Sequence, residues 1–304
     1  MRLKKYSHFT AERIRKESVA LFFNIFRLVF LIFIGYIVLY PLFYMITCAI
    51  KTERGFLDVS HMWLPRELTT SNFKTAYDSM SFSIALKQTV VLQIISSALE
   101  VMVCSFVAYG FARFHFPGKK VATFFLILSL LVPVQMYSLS LAVNYRVLRI
   151  FNTPLAYWLP ALFGVGVRSG IMIFIYQQFF MGLPKELEDA AYVDGAGPIR
   201  TYFSIALPSS SVVIITNCVL AVIWHWNESY LAELCFMDEN RPLAVVLKNL
   251  NALLKMYAKL NQGEPLYPAV VSAGCLLFLF IPLLFYMFVQ RKFVKSIDRI
   301  GITG

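Results

Sequence analysis

Few side chains in this sequence could do chemistry in an apolar setting, and they lie far apart. Glu188 and Asp189 stand side by side in residues 184–208, PKELEDAAYVDGAGPIRTYFSIALP, the one polar, helix-patterned stretch deep inside a chain of long apolar runs. Adjacent carboxylates there can accept charge-assisted hydrogen bonds from an Arg or Lys of a partner. Glu100 lies within an apolar run with Gln93, Ser96 and Cys104 at helical spacing on the same face. Two readings stand for it: a solute or proton site, or a buried carboxyl bonded to a helix neighbour such as Ser96. Arg168 carries the same choice, between a water-filled pathway and a snorkelling position near a helix end. His225 and Glu228 have an i, i+3 spacing that would suit a metal, yet no HExxH or second cluster accompanies them, so no metal site is expected. No G-x4-G-K-[ST] loop occurs, which predicts a chain that binds no ATP and no other cofactor itself.

The elements that must position these groups are membrane helices. Of 304 residues 59% are hydrophobic and only 15% charged, against about 25% charged in soluble domains. Apolar runs approaching twenty residues recur, long enough for helices across a hydrocarbon core about 30 Å thick. The net charge of +11 then reads as topology and contact with anionic lipid, not as nucleic-acid binding. Five cysteines, Cys48, Cys104, Cys218, Cys235 and Cys275, are widely spaced and show no disulfide or metal pattern.

Hydropathy and charge predict an all-α, polytopic protein with six spans and both termini cytoplasmic. The spans are placed at about Leu28–Ile50, Thr89–Ala112, Val121–Val143, Leu155–Phe180, Ser209–Trp226 and Tyr267–Gln290. Residues 1–27 form a basic cytoplasmic tail, whose following apolar run is too long for a signal-peptide core and is expected to stay as an anchor. Residues 28–290 form the membrane domain and residues 291–304 a second basic tail. The outer segments, Lys51–Lys87 and Asn227–Leu266, mix both signs of charge, whereas the inner ones are short and basic. Residues 184–208 fall between spans four and five, on the cytoplasmic side. There Pro184 and Gly195 bracket a short helix, and Leu187, Ala190, Ala191 and Asp194 share one face with a small-residue centre.

Asp189-Ala190-Ala191, three residues, Gly195, nine residues, Ile205, one residue, and Leu207-Pro208 resemble the motif E-A-A-x3-G-x9-I-x-L-P of the membrane subunits of ABC importers, with Asp in place of the first Glu. Leu64-Pro65 with Asn72-Phe73, YGFARFHFPG (residues 109–118), Pro133 to Gln135, NTPLAYWLP (152–160), Trp226-Asn227 and the 290–304 tail extend the likeness over nearly the whole chain, towards carbohydrate importers of the maltose-transporter type. The resemblance implies a permease subunit in the cell membrane that forms half of a pathway for a carbohydrate. Its partners would be a second homologous permease, a cytoplasmic ATPase dimer that holds ATP and Mg, and an extracytoplasmic solute-binding protein. It further implies that the segment is a coupling helix docked on the ATPase, with Glu188, Asp189, Ala190, Ala191, Gly195, Ile205, Leu207 and Pro208 as its residues, Glu188 and Asp189 being alternatives for the acidic contact. Glu100, Trp226, Asn227 and Tyr230 are the candidates for the translocation pathway. The alternatives are an importer of a non-sugar solute, or an ion-coupled secondary transporter, which would favour inverted repeats and partnered intramembrane charges. A membrane enzyme would want clustered His, Asp or Ser at one depth.

Overall fold

The computed structural model describes residues 3–57, 63, 65–261 and 267–301. Leu64 of the resembling stretches lies outside them, as do residues 58–62 and 262–266 of the two outer segments and the side chains of most tail charges. The chain runs through α1 (Leu3–Ala49), α2 (Glu53–Leu57), α3 (Ser71–Ser79), α4 (Phe82–Arg113), α5 (Lys119–Leu131), α6 (Ser138–Val147), α7 (Leu155–Leu162) and α8 (Ser169–Gly182). It continues through α9 (Glu186–Val193), α10 (Pro198–Thr201), α11 (Leu207–Ser209), α12 (Ser211–Asn227), α13 (Tyr230–Cys235), α14 (Leu243–Lys248), α15 (Leu250–Asn261) and α16 (Tyr267–Gly301). Among the described residues the only sheet-like pairing is an isolated bridge between Lys51 and Leu68.

Among the described residues three helices are long and apolar enough to cross a membrane: Lys16–Ala49, Phe82–Arg113 and Tyr267–Arg291. The Pro198–Ser209 and Ser211–Asn227 pair, bent by 78°, makes a fourth if taken as one span. Pro41 and Pro282 sit inside continuous helices, as membrane helices tolerate.

The stretches expected as continuous spans three and four are instead broken helices. At the first break Val132 and Pro133 are extended (ψ 113° and 140°). Proline has no N–H to donate and its ring excludes the residue before it from the helical region, so α5 stops there. At the second, α7 ends in a turn where Gly164 and Arg168 take φ of +68° and +59°, and α8 begins afresh at Ser169. A left-handed residue cannot continue a right-handed helix.

α4 is the axis of the packing. Its buried face carries Thr89, Gln93, Ser96, Ser97, Glu100, Cys104, Ser105 and Ala108, small or polar residues that let α7, α8 and α12 come close. Thr89 and Ser96 satisfy their hydroxyls on carbonyls one turn back, at Ala85 and Leu92. Around this axis apolar side chains gather in three clusters. One joins α3, α4 and α14–α16, one joins α4, α8 and α12, and one joins α6, α7 and α13. The apolar side chains of α1 from Val19 to Ile46 are largely exposed, which suits a helix facing lipid.

Candidate functional site: a surface helix and a buried polar cluster

Both candidate regions are tied to α4. At its C-terminal end lies α9. Glu186, Glu188 and Asp189 fill the first turn, where negative charge complements the positive end of the helix dipole. The helix closes on Gly195 at φ +78°. The Gly195 N–H reaches the Tyr192 carbonyl (3.0 Å) and the Ala196 N–H reaches that of Ala191 (2.9 Å), the paired bonds of a Schellman cap. Only glycine takes this conformation without strain. A Cβ there would meet nothing within 4 Å, so the outward side of the cap is open space. After the break at Gly197-Pro198, the chain makes a π turn in which the Leu207 N–H bonds to Tyr202, five residues back. It then bends at Ser210 into α12.

The two adjacent carboxylates have separate fates. Glu188 is buried, and its Oε1 accepts from Arg113 Nε at 2.8 Å; Arg113 Nη2 donates to the Leu183 carbonyl at 2.7 Å. Both side chains of the pair are under a tenth exposed. Arg113 is the last residue of α4, so this fork fastens α9 and the turn before it to the axis of the bundle. Asp189 is exposed, as are Ala190, Leu187 and Val193, the last at 87%. Ala191, Ile205 and Leu207 are half-buried and Pro208 is exposed. Sequence reasoning left Glu188 and Asp189 as alternatives for an outside contact because Arg113, 75 residues away, could not be assigned as a partner.

The second region lies midway along α4. Glu100 is fully buried. Its Oε1 accepts from the Ser169 hydroxyl and its Oε2 lies 2.7 Å from His225 Nε2. Ser96, the neighbour considered from sequence, bonds instead to Leu92, so the carboxyl is held by α8 and α12. Gly166 passes so close that a Cβ there would fall 2.9 Å from Glu100 Oε1. Gln93 adds a bond to the His225 carbonyl (3.0 Å). The carboxylate sits between serine and histidine, so His225 bonds to Glu100 and not to the Ser169 hydroxyl. In a serine–histidine–acid triad the histidine lies between the other two, so this order is a different arrangement. Glu228, the neighbour that suggested a metal pair, accepts from the Leu231 N–H at 2.8 Å. No group of three metal-ligating side chains occurs among the described residues.

Beside this cluster is a cavity of about 400 Å³ whose wall includes His225, Glu228, Arg168, Tyr157 and Gln135. Arg168 also lies over the Trp224 ring at 5.4 Å. Of the residues singled out with Glu100, Trp226 packs against Phe278 on the side of α16. Asn227 bonds back to the Ile223 carbonyl (2.8 Å), and Tyr230 is exposed at the start of α13. The polar residues that do face the cavity carried weak signals: His225 had no visible partner, and the Gly164-x-Gly166 break was hidden inside an apolar run.

Residues 100–299 match the profile of a family described as binding-protein-dependent transport system inner membrane component. The chain is 28% identical over 269 residues to a probable ABC transporter permease protein, YurM, of Bacillus subtilis, covering 87% of this chain and 84% of the relative. It is 26% identical over 268 residues to the sn-glycerol-3-phosphate transport system permease protein UgpE of Salmonella typhi, covering 86% and 91%. In fold it resembles a chain of a bacterial ABC transporter involved in the import of the acidic polysaccharide alginate, with a TM-score of 0.75 at 20% identity, over 88% of this chain and 95% of that one.

Proposed function

The chain belongs to the family of binding-protein-dependent transport system inner membrane components, and from that premise we propose that it is the half of a carbohydrate importer that receives the ATPase stroke through α9 and passes it to α4. It is a multi-pass membrane protein and an ABC transporter permease. Our reading of its topology has six spans with both ends cytoplasmic: α1, α4, the broken pairs α5–α6 and α7–α8, the bent α10–α12, and α16. Its partners in this reading are a second homologous permease, a solute-binding protein on the outer side and a separate ATPase dimer. ATP and Mg belong to that dimer.

The observation that carries the coupling role is the division of labour on one short helix. Glu188 is committed inward to Arg113, while Asp189, Leu187 and Val193 remain on the surface. A partner that covers them gains apolar burial and one charge-assisted contact. Movement of α9 is then transmitted to α4 through a buried ion pair and a carbonyl bond, without a loop between them to absorb it. Asp189 takes the acidic contact in this scheme. The carbohydrate reading follows from the likeness of Leu64-Pro65 with Asn72-Phe73, residues 109–118, Pro133 to Gln135, residues 152–160, Trp226-Asn227 and the 290–304 tail to carbohydrate importers.

Replacing Gly195 with Asp tests the coupling role. Left-handed strain and a new charge on the docking face should abolish solute-stimulated ATP hydrolysis by the assembled transporter while the protein still inserts in the membrane. Wild-type stimulation in that variant would sink the assignment.

A further inference from the structure

Tyr202 holds the 184–208 segment on α4 at a second place, apart from the Arg113 fork. The residue opens the π turn after α10 and is 2% exposed. Its hydroxyl donates to Ser105 Oγ at 3.1 Å, and Ser105 is itself buried on α4. Its ring meets those of Phe106 and Tyr109, each at 5.2 Å between centroids, and Tyr109 packs edge-on against Phe180 of α8. Ser105 lies eight residues before Arg113 on α4, which puts the two holds about 12 Å apart along its axis. Between them, none of residues 192–200 is buried. Beyond Tyr202 the chain bends at Ser210 into α12, whose far end is tied to the middle of α4 by His225 with Glu100 and Gln93. The chain entering α12 and the far end of α12 are thus both fastened to α4.

We propose that Tyr202 is a positioning residue of the coupling step, which makes α4 and α12 turn as one body when α9 is displaced. The proposal rests on the coupling role of α9 and adds to it a buried residue that touches no partner subunit. The Arg113 fork grips Leu183 and Glu188, at the start of α9. With that hold alone, a force on Val193 pivots the helix about its first turn, and the bend at Ser210 absorbs the movement before it reaches α12. A second hold beyond the Gly195–Gly197 turn removes the pivot, because two separated points on α4 fix a direction as well as a place. The hydroxyl bond sets where the Tyr202 side chain ends, and the rings of Phe106 and Tyr109 set its tilt. π turns occur frequently at functional sites, and this one begins on Tyr202 itself.

The test uses the complete transporter, with its ATPase and solute-binding protein, in lipid nanodiscs. Nitroxide labels go on exposed positions of the two helices, Met102→Cys on α4 and Ser211→Cys on α12, in a chain whose two half-buried thiols, Cys218 and Cys275, are replaced by Ala. Electron paramagnetic resonance reads their distance without nucleotide and after trapping with ATP, Mg and orthovanadate. With Tyr202 and Ser105 intact, the labels are expected to keep one distance in both states. Tyr202→Phe keeps the ring, and Ser105→Ala removes the acceptor. Each should keep the resting distance without nucleotide and raise the displaced population about fivefold on trapping, the weight of one hydrogen bond. Unchanged distances in both variants on trapping overturn the proposal. So does a displacement already present without nucleotide, which marks a contact of the resting fold alone, and so does a change of distance on trapping with both residues intact. If Tyr202→Phe fails to assemble, Ser105→Ala decides. Failure of the ATPase to co-purify with the wild-type chain, or to trap vanadate there, sinks the coupling reading instead, and is seen before any distance is measured.

Discussion

Two buried carboxylates, one fastened to the end of α4 and one carried by α4 itself, are held by different means. Glu188 meets the end of α4 through Arg113, a guanidinium that stays charged at any accessible pH, with the Leu183 carbonyl taking a second donor. Glu100, in the middle of α4 itself, is held from two other helices, by Ser169 at the start of α8 and His225 on α12. The inner site is therefore a fixed ion pair at the edge of the bundle. The mid-helix site is a fully buried cluster of hydrogen bonds that ties α4 to α8 and α12. The coupling role proposed for α9 calls for a fastening of the first kind.

The largest expected effect is at the ion pair. Removing either member of a buried pair strands the other charge, at about 3–5 kcal/mol. Arg113→Ala and Glu188→Ala should each lower the thermal stability of the detergent-purified transporter by that order and uncouple it. The double variant should cost far less than the sum. A double-mutant cycle in which the two changes simply add would break the comparison at this end. The charge swap, Arg113→Glu with Glu188→Arg, should recover part of the loss, the Leu183 carbonyl bond being the part that stays lost.

Changes at the mid-helix cluster should be milder and should depend on shape more than on charge. Glu100→Gln keeps an acceptor for Ser169 and an amide for His225, and is expected to cost no more than about 1.5 kcal/mol. Gly166→Ala keeps every charge but drives a Cβ to 2.9 Å from Glu100 Oε1 and 3.2 Å from Ala161 Cα, an overpacking worth about 1–3 kcal/mol. Melting of the purified transporter orders the two. If Glu100→Gln proves as damaging as Glu188→Ala, the mid-helix carboxylate is a charge after all and the contrast fails.

The parts of this design that sequence revealed are those set by local chemistry. Pro184 and Gly195 marked the bounds of α9, and Gly195 occupies the left-handed cap that such spacing requires. The polar face of α4 was legible from Gln93, Ser96, Glu100 and Cys104 because helical period alone aligns them. The partners were not legible, since Glu100 and His225 stand 125 residues apart and Arg113 and Glu188 75 apart, and hydropathy carries no information on which helices meet. The broken helices were missed for a different reason. Pro133 and Gly164 lie in runs apolar enough to read as continuous spans, and hydropathy is blind to a backbone turn sheltered by neighbouring helices.

A third carboxylate, outside the bundle, calibrates the other two. Glu233 on α13 receives Lys248 Nζ at 2.5 Å and Asn249 Nδ2 at 3.0 Å, and these bonds, the lysine's first, hold its carboxyl below the ordinary carboxylate range. Its side chain is about a third exposed, so solvent screens the pair and its worth is under about 1 kcal/mol. A lowered folded-state pKa stabilises above the unfolded value, about 4.3, and the contribution fades as pH falls through the folded value. Lys248→Met should therefore lower stability slightly at neutral pH and make no difference once the medium is acid enough to protonate Glu233 in the folded chain. High salt should erase the neutral-pH loss as well. The fork at Arg113 should keep its effect in the same salt, because burial and not proximity is what separates a fastening from a surface contact. Equal salt sensitivity of Lys248→Met and Arg113→Ala, measured by melting side by side, would remove that distinction.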